Sequence, residues 1–569
     1  MKARLPKLMM MALMAGSAAY ASGTYRPQAI VTVESGTVYA DTCTIDGTDT
    51  TVLDELQASQ YAGNSTEAKS LVKDGQGTLV IDTSTKTTVN GEEVVTPSSE
   101  ALKANNPILV REGTVNVSNT TIQNYNALSD GVSNLSVGGK NAVLNLNNAH
   151  YEQRIEYTSN YGSSINIGTG DGAGTVNLTY NSTLHTDHCL FIGRTNTVYE
   201  GTPVYVQPSY EGVTGDAVYE YVAEPPASEV NISGGSKMSA GTQIMLDNAV
   251  VTIDGAGSAL IGAERAIDEP TVQFYSTYIG SNNGAQSTVK VTNGGEFTLL
   301  RGLLTGYGEN STANIEVSGE GSCFTVRHST VDSHTVGKSS FLGVAASSTA
   351  NITISDNAKM QLADGWVYLG YDGSTAVITI EKTASLEQLD AASPAGICMY
   401  EENAKLVNRG TVGVDTFMYD GVFTMEDGAV AASLTATTAG SIYIQGDTTF
   451  TGDVAVGGET RLTFDLGSTM NLDGCIFSFD GGTIYVELGS VNADGLTTPY
   501  FTLGYTEVGA IDIAEGTKIQ LMQNGVAYGE AVELVVGTNV ATKIIPEPAT
   551  VTLSLLALAG LAARRRRQR

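Results

Sequence analysis

One pattern limits what this 569-residue chain can fold into: a three-residue unit, apolar–polar–apolar, that recurs along most of its length. It occurs as Val115-Asn116-Val117, Leu144-Asn145-Leu146, Ile165-Asn166-Ile167, Val176-Asn177-Leu178 and Val230-Asn231-Ile232. The best-aligned series is Val289-Lys290-Val291, Ile315-Glu316-Val317, Ile352-Thr353-Ile354 and Ile378-Thr379-Ile380, whose starts lie 26, 37 and 26 residues apart. Three of these four are followed by an apolar residue and a glycine, at Leu304-Thr305-Gly306, Leu342-Gly343 and Leu369-Gly370. Alternation with period two is that of a strand with one buried face. A strand with only two inward side chains cannot stabilise a sheet alone. Stacked on its counterpart in the next coil, about 4.8 Å away, it completes its hydrogen bonds and extends an apolar column. The expectation is an all-β fold, a parallel β-helix (solenoid), with coils of roughly 20 to 40 residues and corner loops of variable length. An antiparallel sandwich would need longer alternating strands and regular hairpins.

Composition agrees. Gly supplies 64 residues while the apolar fraction is 41%, which excludes general disorder and suits short strands joined by tight turns. The five cysteines, Cys43, Cys189, Cys323, Cys398 and Cys475, are widely separated and form no CxxC; they read as small buried hydrophobes. Net charge is −30, from 60 acidic and 30 basic residues, which excludes nucleic acid as a partner. The expected role of that charge is a solvated acidic surface.

Both ends read as targeting segments. Lys2, Arg4 and Lys7 precede an apolar core from Leu8 to Gly16 and the small-x-small site Ala19-Tyr20-Ala21, the layout of a secretory signal peptide over residues 1–21. At the other end Pro546-Glu547-Pro548 precedes 15 uncharged residues, Ala549 to Ala563, and then Arg564, Arg565, Arg566, Arg567 and Arg569. The apolar run is shorter than the ~20 residues of a full span, and its basic flank is expected on the cytoplasmic side. The order of triplet, apolar helix and arginines in residues 546–569 resembles the PEP-CTERM sorting signal of certain Gram-negative bacteria. That resemblance implies export by Sec-type machinery, transient membrane anchoring through the C-terminal helix, and processing near the triplet by an exosortase-type enzyme. The destination it implies is the cell surface, outer membrane or extracellular matrix.

Within residues 22–110 the chain is strand-like, with a helical spacing only from Thr51 to Lys73 (Leu53, Leu56, Ala58, Ala68, Leu71, Val72). The stretch from Leu71 to Ile81, carrying Lys73-Asp74-Gly75-Gln76-Gly77-Thr78-Leu79, is answered by Ile108 to Val117 after an insertion from Asp82 to Pro107. This pair resembles the passenger-associated repeat of autotransporters, and implies the start of a right-handed parallel β-helix. The solenoid is expected over 111–440. Longer alternating strands such as Thr483 to Leu488 mark 441–545 as the last coils plus a β-rich cap. That region is too short for a translocation barrel, so a self-transporting autotransporter is not expected.

Sites of chemistry are sparse. His185-Thr186-Asp187-His188-Cys189 is the densest metal-capable group, but residues three apart on a strand face opposite sides, so a polar turn is the expectation. His328 and His334 are weaker candidates still. Asp171-Gly172-Ala173-Gly174 and Asp254-Gly255-Ala256-Gly257 read as Asp-Gly turns rather than tandem calcium sites. A polysaccharide lyase or hydrolase would cluster carboxylates with a base; Asp364, Asp372, Glu264, Arg265 and Asp268 are the conceivable members. No G-x-S-x-G, P-loop or H-E-x-x-H occurs, and no catalytic residue, metal or cofactor is assigned. The 26 tyrosines and the single tryptophan, Trp366, offer faces for sugar stacking, though strands commonly hold tyrosine in any case. The expected function is a non-catalytic structural or adhesive solenoid, with envelope polysaccharide or host glycan as partner. The alternative is a polysaccharide-active β-helix enzyme.

Overall fold

The computed structural model describes most residues between 71 and 534, and the strand backbone at 29–33, 36–40, 42–46 and 542–546. Residues 1–28, 47–70 and 547–569 lie outside the description, as do shorter stretches, chiefly 126–134, 155–163, 194–202, 206–218, 263–276, 328–338, 492–499, 506–510 and 535–541. The chain divides into two compact units, Met1–Asp268 and Glu269–Arg569.

Both units are all-β, and no helix occurs among the described residues. In each coil the chain visits three parallel sheets in turn. In the first unit Ile108–Val110 lies in sheet I, Thr114–Ser118 in sheet II and Thr121–Tyr125 in sheet III. The next coil repeats the order with Leu135–Val137, Ala142–Asn147 and His150–Arg154, each pairing in parallel with its predecessor. This arrangement is consistent with a β-helix solenoid. The second unit is built the same way, from Thr277–Ile279, Gln286–Thr292 and Glu296–Leu299 onwards.

Register follows the apolar positions. Leu79, Val115, Leu144, Val176, Val230 and Val251 fall opposite one another in sheet II of the first unit, all inward and buried. In the second unit Val289, Ile315, Ile352 and Ile378 form the same kind of column, so the series aligned from the sequence is the register observed. The column continues through Leu406, Phe423, Ile442, Leu462, Ile484 and Ile519. Each such side chain contributes roughly 1.5–3 kcal/mol on leaving water. A one-residue slip would turn the whole column outward, which is why register survives coils of very different length. Between successive strands of sheet II the chain advances 17 residues in one coil and 54 in another.

Glycine is required where sheet I turns into sheet II. Gly343 has φ +68°, and a Cβ there would lie 2.7 Å from Ser374 Oγ of the next coil. That hydroxyl donates to the Gly343 carbonyl at 2.6 Å, a bond possible only because the corner is bare. Gly306 and Gly370 hold the equivalent corners.

Several sequence expectations change here. Leu71–Asp74, taken as the end of a helical stretch, is a sheet I strand paired with Ile108–Val110; residues 51–70 lie outside the description. Tertiary pairing overrides the helical spacing at Leu71 and Val72. The insertion Asp82 to Pro107 carries an exposed antiparallel hairpin, Thr85–Val89 with Glu92–Thr96. Past Gly440 the strands keep the parallel coil pattern; Lys518–Gln523 also pairs antiparallel with Val526–Ala527 and Val532–Glu533, and Thr542–Pro546 then adds a parallel sheet III strand on Phe501–Tyr505. Among the described residues no helix is long and apolar enough to cross a membrane. The signal peptide with Ala19 and Ala21, the residues Glu547 and Pro548, and the arginines lie outside the described residues; Pro546 ends the strand Thr542–Pro546.

Candidate functional site

The histidine-rich pentapeptide of the first unit turns a corner. Thr183–Thr186 is a sheet III strand in which Leu184 and Thr186 point inward, so His185 points out. Asp187 leaves the strand and bends back, its Oδ1 3.1 Å from His185 Nε2. On the other side His185 Nδ1 lies 2.7 Å from Ser239 Oγ, supplied by the adjacent coil at the same register. His188 stays at the corner and Cys189 starts the next sheet I strand, so the metal-capable residues part company. Sequence reasoning missed Ser239 because it lies 54 residues further on.

Serine, imidazole and carboxylate thus form a chain with the connectivity of an acyl-transfer triad. What such chemistry also needs is backbone N–H groups free to hold an oxyanion. At this corner those groups are engaged: Asp187 N with Gln153 O, Gly241 N with Thr186 O and Thr242 N with His188 O, at 3.1, 2.7 and 3.1 Å. The arrangement is that of a polar ladder on an outer sheet face. His150 and Thr183 make a similar contact at 2.9 Å.

The carboxylates suggested for an enzyme do not meet in the described structure. Asp364 precedes the sheet I strand Gly365–Leu369 and Asp372 follows it, at opposite ends. Glu264, Arg265, Asp268, His328 and His334 lie outside the described residues. The two Asp-Gly tetrapeptides occupy different corners: Gly174 opens a sheet II strand, whereas Asp254 closes one. Among the described residues no group of three His, Cys, Asp or Glu is placed to hold a metal ion. Arg409 is clamped between Glu381 and Glu426 of the neighbouring coils at 2.7 and 2.8 Å. The Glu426 hydrogen bond, with charge from Glu426 and Glu381 adding, holds its guanidinium above the usual range against the opposing effect of burial.

A different feature stands out on sheet I of the second unit. Its outward positions read Phe341, Tyr368, Cys398 and Phe417 in successive coils. Beside that column runs Trp366, Gly396 and Asp415. Phe341 and Tyr368 stack at 5.0 Å with their planes 15° apart. Tyr368 then meets Tyr400 at 6.2 Å and 59°, and Tyr400 meets Tyr419 at 5.1 Å and 47°. Trp366 reaches past Gly396 to touch Phe417 edge-on at 5.1 Å. Glycine makes this possible, since a Cβ at position 396 would sit 2.2 Å from the indole.

Under this cover Cys398 points away from the apolar interior yet is only 5% exposed, and burial pushes its thiol up to about 11. Burial also raises the Tyr368 phenol, with Cys398, Tyr400 and Tyr419 adding to the effect and a Ser339 hydrogen bond opposing it. Cys189, Cys398 and Cys475 are buried, as small buried hydrophobes should be, while Cys323 is half-buried. No family model matches the chain, and no curated protein matches it either.

Proposed function

We propose that the chain is an exported, surface-sorted solenoid without catalytic activity, serving as a structural or adhesive element of a bacterial envelope or extracellular matrix. In this reading residues 1–21 direct Sec-type export and the coils wind right-handed. The tail from Pro546 anchors transiently until an exosortase-type enzyme processes it. The observation that carries the functional half is the dispersal of chemistry over the coils: the carboxylates Asp364 and Asp372 sit at opposite ends of one strand, and the outer faces are given to ladders and aromatic rings. A surface of this kind supports contact rather than turnover.

Two tail variants and a deletion test it. Replacing Pro546, Glu547 and Pro548 by alanine should leave the chain exported but unprocessed in the inner membrane. Replacing Leu555, Leu556 and Leu558 by Asp, at about 2.5–3.5 kcal/mol each on the insertion scale, should release it as a soluble unprocessed protein. Deleting the chain should reduce attachment of the cells to surfaces or matrix. Wild-type sorting of both variants removes the targeting half of the reading, and unchanged attachment after deletion removes the adhesive half.

A further inference from the structure

Each of three successive coils in the second unit places an exposed tyrosine where sheet I turns towards sheet II, and each is followed at once by a carboxylate. The pairs are Tyr371-Asp372, Tyr400-Glu401 and Tyr419-Asp420, with the tyrosines 52%, 48% and 47% exposed. Backbone hydrogen bonds set their height in the stack, Tyr400 N to Leu369 O at 3.0 Å and Tyr419 N to Met399 O at 2.9 Å. Trp366 and Phe417 extend the same surface across the sheet.

Ring orientation separates packing from availability. Phe341 and Tyr368 lie face to face, so their contacting faces are covered by each other. Tyr400 and Tyr419 are tilted at 47°, half-exposed, and so keep ring surface turned to solvent. Their 5.1 Å spacing follows from the rise of one coil and is close to the length of one pyranose residue. The sheet I strands pair with both neighbouring coils, which leaves no free strand edge for a peptide to extend. What remains for a partner is side-chain surface: apolar rings with carboxylates between them.

Charge narrows the partner further. Stretches 365–373, 395–402 and 414–421 contain Asp372, Glu401, Glu402, Asp415 and Asp420 and no Lys or Arg. A polyanion is repelled there, whereas carboxylates beside aromatic rings suit an uncharged chain rich in hydroxyl groups, the rings taking its apolar faces and the carboxylates accepting its hydrogen bonds. We infer that this strip, Trp366, Tyr371, Tyr400 and Tyr419 with Asp372, Glu401 and Asp420, binds an uncharged, extended β-linked polysaccharide laid along the coil stack. The inference rests on the adhesive reading above and supplies its ligand class.

Trp366 is the only tryptophan in the chain, so its emission reports on the strip without background. The full chain is titrated with cellohexaose, β-1,4-mannohexaose and hexa-N-acetylchitohexaose, and separately with hexagalacturonate and hexalysine. At least one neutral hexasaccharide should shift Trp366 emission saturably, and hexagalacturonate should not. Tyr400→Ala with Tyr419→Ala should raise half-saturation about tenfold, while Tyr400→Phe, which keeps the ring, should change it little. Circular dichroism confirms that each variant is folded; should the double variant misfold, Glu401→Gln in a folded chain should weaken binding several-fold. The inference falls if no neutral hexasaccharide acts up to about 10 mM, if hexalysine or hexagalacturonate is the only binder, or if the folded variants bind as wild type. Attachment that still depends on the chain after such a result would leave the adhesive reading standing.

Discussion

The outer face of sheet II in the first unit and the outer face of sheet I in the second meet the same demand with opposite chemistry. In the first, Asn116, Asn145, Asn177 and Asn231 occupy one outward position in successive coils, each amide donating to the one before at 2.8 Å. The ladder satisfies itself and offers a partner little. In the second, rings replace amides; Phe341 and Tyr368 stack, but Tyr400 and Tyr419 are left tilted and open. A repeating backbone fixes the spacing of its surface groups, and the residue type then decides whether that spacing closes the surface or leaves it receptive.

Interior substitutions should show that the difference is confined to the surface. Leu178→Ala in the first unit and Ile352→Ala in the second, both about fully buried, should each cost about 2–5 kcal/mol in denaturant unfolding. A large disparity between them would mean that the two interiors are not equivalent. Next in size is Gly396→Ala, which sets a methyl against both the indole and the Asp415 carbonyl, 2.6 Å away. It should cost about 1–3 kcal/mol and move Trp366 emission to longer wavelength; unchanged emission would place the indole elsewhere.

Asn177→Ala removes two rungs of the amide ladder at once and should cost about 1–2 kcal/mol, softened by water reaching a half-exposed site. If the cost is nil, the ladder is ornament. The smallest effect concerns a place where the second unit sets like charges in register instead of amides. Asp465 lies opposite Glu487, and burial, with Glu487 adding, raises its carboxyl pKa. Ionisation of Asp465 therefore opposes folding: stability from this group is full below its unfolded pKa and declines as pH rises through the higher folded value. Asp465→Asn should then gain a few tenths of a kcal/mol near pH 7 and nothing in acid, as compared by thermal melts at both pH values. A loss at pH 7 would contradict the raised pKa.

Much of the interior was legible because burial forces apolar residues into a two-residue period, and the run from Val289 to Ile378 kept it cleanly. The exterior was not. Ile165-Asn166-Ile167 looks like the other Asn-centred units but belongs to sheet I, while its four companions make the sheet II ladder. Coil lengths of 29, 32 and 54 residues hide which asparagines meet. The Tyr–carboxylate pairs escaped for the same reason: Tyr400 and Tyr419 come level only once Met399 and Met418 are stacked, with Tyr371 one residue beyond that level, after Gly370. Trp366 was noticed, yet its neighbour Phe417 lies two coils away. Ser239 beside His185 is a third case, invisible without the register.

The uneven coils carry a mechanical consequence. Hydrogen bonds between coils run along the stack, so a pull on one end of the second unit would load them one coil at a time. Each detachment then frees one coil of slack, at up to about 3.5 Å per residue. The coil between Asn408 and Met425, 17 residues, would yield about 60 Å, and that between Asn314 and Asn351, 37 residues, about 130 Å. A force–extension trace would therefore be a series of unequal steps whose order reads out the order of the coils. If the chain is tethered at a cell surface as proposed, the same unevenness would make it a shock absorber that lengthens in graded increments before its anchor is strained.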